Sequence, residues 1–144
     1  MLSTGIYLAF ILFIIAGLFR HNEQSIISTD QTPVVSVVIA ARNEENNLPD
    51  LIQDLLHQEY PLDQLEIIIV DDRSTDSTAK ILKEAAENYA VINYIRVEKL
   101  STEMTPKKHA LALGIEMAKG DVILSTDADC RVGKLWVSSM AYSV

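Results

Sequence analysis

From Val34 onward the chain alternates two hydrophobic periods, and that alternation limits the folds open to it more than any other feature. Short apolar runs rich in β-branched residues recur, each followed by a helical pattern. VVSVVIAA (34–41) is nearly continuous, as in a strand covered on both faces. Leu48, Leu51, Ile52, Leu55 and Leu56 then repeat at the spacing of one helix face. Pro49 is tolerable in that helix's first turn, and Tyr60-Pro61 is its expected stop. LEIIIV (65–70) is a second strand. Asp76 or Ser77 can cap a helix running to about Glu87, with Thr78, Ile81, Leu82 and Ala85 inward. Val91–Val97 is a third strand and 98–105 a polar loop. Pro106–Lys119 is a third helix, with Gly120 as its C-terminal stop. Asp121–Thr126 is a buried-looking fourth strand, and Lys134–Tyr142 begins another helix. The order predicts an α/β fold, a largely parallel sheet with helices on both faces.

Residues 2–19, LSTGIYLAFILFIIAGLF, carry no charged side chain. Eighteen helical residues span roughly 27 Å, close to the hydrocarbon thickness of a bilayer. We read them as one transmembrane helix. The alternative, a cleaved signal peptide, wants a basic start, and no Lys or Arg precedes Arg20. Arg20 and His21 follow the span directly, which places the rest of the chain in the cytoplasm by the positive-inside rule. Residues 20–33 are a polar linker, and 34–144 form the domain.

The formal net charge of −8, with no sizeable Lys/Arg cluster, argues against nucleic acid as a partner. Cys130 is the only cysteine, so no intrachain disulfide can form. It reads as a small buried group rather than a nucleophile.

Ligands of parallel α/β sheets bind beyond the carboxyl ends of the strands. Three of those ends are acidic or polar here: Arg42 to Glu45, Asp71-Asp72, and Asp127 with Asp129. Asp127 and Asp129 suit a hard divalent cation such as Mg²⁺ or Mn²⁺, shared with substrate phosphates. An Asp-x-Asp alone is a weak signal that reads first as an acidic turn, and only its place at a strand end beside a second acidic end favours the metal. Asp71 and Asp72 could merely cap the second helix. Because Asp76 or Ser77 can do the capping, both carboxylates remain to accept hydrogen bonds from a base or ribose. Lys107 and Lys108 at a helix start are either solvated or reach a phosphate. A strand followed by Asp-x-Asp also occurs in haloacid-dehalogenase-type phosphatases, but Arg131 stands where that motif wants Thr or Val.

VSVVIAARNEE, EIIIVDDRSTDST, KKHALALGIEMAKGD and ILSTDAD, in this order and spacing, resemble the blocks of family 2 glycosyltransferases with the GT-A fold, from about Val34 to Asp129. With the N-terminal apolar helix, the chain is similar to membrane-attached bacterial members. The resemblance implies that Asp72 contacts the donor base with Asp71 beside it, and that Ala40 and Glu44 line the nucleotide. It implies a donor role for Lys107, with Lys108 the alternative, and metal binding at Asp127 and Asp129. Asp127 thereby also touches the donor. The implied reaction is inverting transfer of a sugar from a nucleotide-diphospho-sugar to a polysaccharide, lipid or other acceptor. The family's catalytic base is expected beyond residue 144, so the chain reads as the donor-binding half of a truncated enzyme. The alternative is a membrane-tethered nucleotide-binding fragment without turnover.

Overall fold

The computed structural model describes residues 32–99 and 101–143. The expected transmembrane helix at 2–19, and all of the 20–33 linker except Thr32 and Pro33, lie outside the described residues. Among the described residues no helix is long and apolar enough to cross a membrane.

Strands and helices alternate as β1 (Val35–Ala41), α1 (Leu48–Leu56), β2 (Leu65–Asp71), α2 (Thr78–Asn88), β3 (Ile92–Arg96), α3 (Pro106–Met117), β4 (Val122–Ser125) and α4 (Trp136–Ala141). One turn of 3-10 helix, Leu62–Gln64, precedes β2. The strands form a parallel sheet in the order β3-β2-β1-β4. Pairing of Val35 with both Leu65 and Val122, and of Ala41 with Asp71, sets the strands' carboxyl ends along one edge.

The period of two in β1 and β2 feeds two separate cores. Val35, Val37 and Ile39, with Ile67 and Ile69, pack under Leu48, Leu51 and Leu55 of α1 and Leu82 of α2. Val38, Ile68 and Val70 face the other way, against Ala110 of α3. Burying each such Val, Leu or Ile fully stabilises the fold by about 1.5–3 kcal/mol. Helices α1 and α2 thus lie on one face and α3 on the other. A right-handed crossover must change face when the winding direction reverses, as it does between β3 and β4.

Two glycines let α3 and its exit run close to the sheet. A Cβ on Gly114 would stand 2.4 Å from Val38 Cγ1. Gly120, expected as a helix stop, has another role. The helix ends at Met117 with Ala118 extended, and no described glycine has positive φ. A Cβ on Gly120 would lie 2.5 Å from the Ser36 amide nitrogen and 2.8 Å from the Val34 oxygen. Its own amide donates to Ser36 Oγ at 2.8 Å. Close approach to β1, not handedness, demands glycine there.

Other details also differ from the sequence reading. α1 ends at Leu56, well before Pro61, and the Glu59 amide beyond it donates to the Lys134 carbonyl instead. Ser77 stands at the N-cap of α2 without a side-chain bond, and Asp76 Oδ1 accepts the Thr78 amide at 3.0 Å. β4 is one edge of the described sheet, opposite β3. Only its Leu124 is buried, and Ile123 is 44 % exposed, so the buried-looking run is half open. Cys130 is exposed rather than buried.

Candidate active site

β2 leaves β1 on one side and β4 pairs with it on the other, so the strand order reverses at β1. Such a switch point splays the loops apart and opens a crevice at the carboxyl ends. A cleft of about 420 Å³ lies there. Ala40, Ala41, Arg42 and Glu44 form one wall from β1. Asp127, Ala128 and Asp129 form the opposite wall, after β4. Asp72 from β2 and Thr105, Pro106 and Lys107 from the start of α3 complete the lining.

The loops after β1 and β2 are built as a pair. Asn43 and Arg73, two residues past register partners Ala41 and Asp71, both have φ of 56°. A non-glycine residue in this left-handed region costs about 1–2 kcal/mol, least for Asn. Reciprocal hydrogen bonds hold it. The Asn43 amide donates to Ser74 Oγ at 3.0 Å, and Asn43 Oδ1 accepts the Thr75 amide at 2.8 Å. The Glu44 amide donates to Thr78 Oγ1 at 2.8 Å. The Ser77 amide donates to Glu45 Oε2 at 2.9 Å, and the Glu45 amide to Asp76 Oδ2 at 3.2 Å.

This lacing separates the two adjacent carboxylates. Asp71 is fully buried and does not line the cleft. Its Oδ1 accepts the amide of Ser74, three residues on, at 2.8 Å, which closes the turn after β2. Its Oδ2, which has no hydrogen-bond partner among the described residues, faces Arg96 Nε at 3.7 Å. Burial, with the Asp71 charge adding to it, pushes the neighbouring Tyr94 phenol up. Asp72 does line the cleft, with a side chain only 6 % exposed. Arg73 Nε donates to its Oδ1 at 2.9 Å, and Arg42 Nη1 lies 3.4 Å from its Oδ2.

Across the cleft, Lys107 Nζ donates to Asp127 Oδ1 at 2.8 Å. That bond, joined by the charge of Asp129, raises the lysine pKa and keeps the ammonium charged. Helix α3 starts behind it, and Thr105 at its N-cap makes no side-chain bond, so the positive end of the helix opens on the cleft. Lys108 does not line the cleft.

Among the described lining residues, the carboxylates of Glu44, Asp72, Asp127 and Asp129 outnumber the cations Arg42 and Lys107 by two. This excess of carboxylates disfavours a bare diphosphate, and a bridging cation would offset it. No cluster of three or more His, Cys, Asp or Glu among the described residues could hold a metal alone. Two carboxylates suit a Mg²⁺- or Mn²⁺-like ion that takes its other ligands from phosphate and water. An ammonium already against Asp127 shows that this carboxylate is open to a cation. The sequence reading did not single out Arg42 as a site residue. Its position one residue past β1 was the available signal, but nothing local says that it faces Asp72.

Residues 36–143 match the family described as glycosyl transferase family 2. The chain belongs to that family. A β-monoglucosyldiacylglycerol synthase of Nostoc is 36% identical over 113 residues, 78% of this chain and 23% of that protein. A probable glycosyltransferase of Bacillus subtilis, YdaM, is 35% identical over 139 residues, 92% of this chain and 33% of that one. Among solved structures, the mannosyltransferase PcManGT from Pyrobaculum calidifontis, in complex with GDP-Man and Mn²⁺, superposes with TM-score 0.65 at 26% identity. The match covers 78% of this chain and 31% of that one. TarS 1-349 of S. aureus in complex with UDP-GlcNAc gives TM-score 0.62 at 26% identity, over 74% of this chain and 30% of that one. The parallel sheet is thus that of the GT-A glycosyltransferases, and the chain spans about a quarter to a third of the length of these curated relatives.

Proposed function

We propose that this chain carries the donor-binding part of an inverting glycosyltransferase that takes a sugar from a nucleotide-diphospho-sugar. The observation that carries this reading is the meeting of Asp72, Lys107, Asp127 and Asp129 in one cleft at the switch point beside β1. Asp72 accepts hydrogen bonds from the base, with Ala40 and Glu44 along the nucleotide. Asp71 acts through the turn that presents Asp72. Lys107 and the start of α3 face the diphosphate. Asp127 and Asp129 hold Mg²⁺ or Mn²⁺, which when bound offsets the carboxylate charge and stabilises the departing diphosphate. The acceptor hydroxyl attacks the anomeric carbon from the face opposite the diphosphate, its proton passing to a general base as the bond from that carbon to the diphosphate oxygen breaks.

A relative bound to GDP-Man and Mn²⁺ and another bound to UDP-GlcNAc support this donor class and a divalent cation. The acceptor is a polysaccharide, a lipid or another hydroxyl compound, and a relative named for diacylglycerol glycosylation supports the lipid. The uncharged run at 2–19 supports attachment to a membrane, with Arg20 and His21 favouring a cytoplasmic domain.

Calorimetry with UDP or GDP and Mn²⁺ tests the reading. Nucleotide binding is expected to require the metal and to be lost in Asp129→Ala and in Asp72→Ala. Binding unchanged in both variants overturns it.

A further inference from the structure

The segment that follows Asp129 is tied to α1 with unusual thoroughness. Arg131 donates through Nε and Nη2 to the two oxygens of Asp54, at 2.6 and 2.9 Å. Its Nη1 reaches Asp50 at 3.0 Å, and the Val132 amide adds a bond to Asp54 at 3.2 Å. One turn further, Gln58 donates to the Gly133 carbonyl and accepts the Val137 amide, both at 2.9 Å. An exposed ion pair ordinarily contributes little. This one is a two-pronged guanidinium–carboxylate pair, which fixes direction as well as distance. Its carboxylate is also only 16 % exposed.

Asp127 and Asp129 stand on a stretch without helix or strand, between the end of β4 and the start of α4. Locally it has the Cys130 amide bonded to the Asp127 carbonyl at 3.1 Å and the buried side chain of Ala128. The next anchor is Arg131. Helix α1, which receives that anchor, begins just after Glu44 and packs its other face into the core. It therefore splints the β1 wall of the cleft to the β4 wall.

We propose that Arg131 is a positioning residue: its grip on Asp54 sets the 127–130 turn so that both carboxylates face the cleft together. This rests on the cation reading of Asp127 and Asp129 given above. Arg131 touches neither the cation nor the nucleotide.

Charge and position predict opposite signs. Were Arg131 only a nearby positive charge, removing it would strengthen cation binding. As a positioning residue, its loss weakens binding. Partners that orient metal ligands cost about 10- to 100-fold in affinity when removed, and Arg131 acts one step back through the backbone. The experiment titrates Mn²⁺ into the 144-residue chain in detergent, by calorimetry, and records each variant's melting temperature. Arg131→Met is expected to weaken Mn²⁺ binding by about 10-fold while the domain stays folded. Arg131→Lys keeps the charge but loses the fork, and is expected to weaken it by about 3-fold. Asp54→Asn with Arg131→Met should be no worse than Arg131→Met alone, because the Arg131–Asp54 pair is already gone in that variant. Mn²⁺ binding by Arg131→Met equal to or tighter than the parent's overturns the proposal, and so does an additive double variant. Mn²⁺ binding that is absent from the parent, or that survives Asp127→Asn with Asp129→Asn, overturns the cation reading itself and this proposal with it.

Discussion

Lys107 Nζ and Asp127 Oδ1 meet at 2.8 Å, joining the start of α3 to the loop after β4 across the cleft. The ammonium holds one of the oxygens that a divalent cation would use. Lys107→Met should therefore bind Mn²⁺ alone about 2- to 5-fold more tightly, the scale of an exposed ion pair. If Lys107 reaches the phosphate as proposed, the variant should bind nucleoside diphosphate with Mn²⁺ about 10-fold more weakly, for the loss of one charged hydrogen bond. Calorimetry of both ligands checks the pair of signs. A variant unchanged toward both would remove Lys107 from the site.

Gly114→Ala and Gly120→Ala should both destabilise the domain, and unequally. At Gly114 the new methyl meets the Val38 side chain, which can shift, so the cost is about 1–3 kcal/mol. At Gly120 it meets the backbone of Val34 and Ser36, at and just before the start of β1, which cannot shift without opening the sheet. The loss there should exceed that at Gly114. Denaturant unfolding of the two variants measures the difference, and a Gly120→Ala domain as stable as the parent would contradict the close approach.

Asn43 combines a left-handed backbone with a side-chain bond to the Thr75 amide. Asn43→Gly removes the bond and loosens the unfolded chain while relieving the left-handed strain, whereas Asn43→Ala removes the bond and raises that strain. Stability should fall in the order parent, Gly, Ala, with the two variants about 1 kcal/mol apart. Melting curves give the order, and an Ala variant above the Gly variant would show that the turn is not left-handed in solution.

The bond from Arg131 holds the Asp54 carboxyl below its ordinary value of 3.8, against the opposing effect of burial. A carboxyl whose folded pKa is depressed contributes stability that is present above its unfolded pKa and lost as pH falls through the folded value. The parent should therefore lose more melting temperature below pH 3.8 than Asp54→Asn does, and the two curves should run parallel above it. Circular dichroism melts across the acid range check this. Parallel curves throughout would mean that the pair does not form.

The alternation of strands and helices, their inner faces and the acidic strand ends were all legible in the sequence. The helix faces depend on a period of 3.6 residues, which covalent geometry imposes locally, and the strands and their acidic ends on short apolar runs that stop at charged residues. Leu48, Leu51 and Leu55 declare a helix face wherever that helix packs. The same logic could not tell Asp71 from Asp72. The two are neighbours in the chain, yet one is sealed in a turn with Ser74 and the other opens on the cleft. Gly120 looked like a helix stop because a stop is the local reason for glycine, whereas its actual neighbour is β1, 84 residues earlier at Ser36.

What the sequence determined by itself was therefore the list of parts: parallel α/β layers and carboxylates at three strand ends. Tertiary structure decided which carboxylates share a cleft, which edge β4 occupies, and that Arg131 closes on Asp54 across 77 residues. The division is physical. Periodicity is written into consecutive residues, whereas a contact between distant ones exists only after the layers have packed and set their distance.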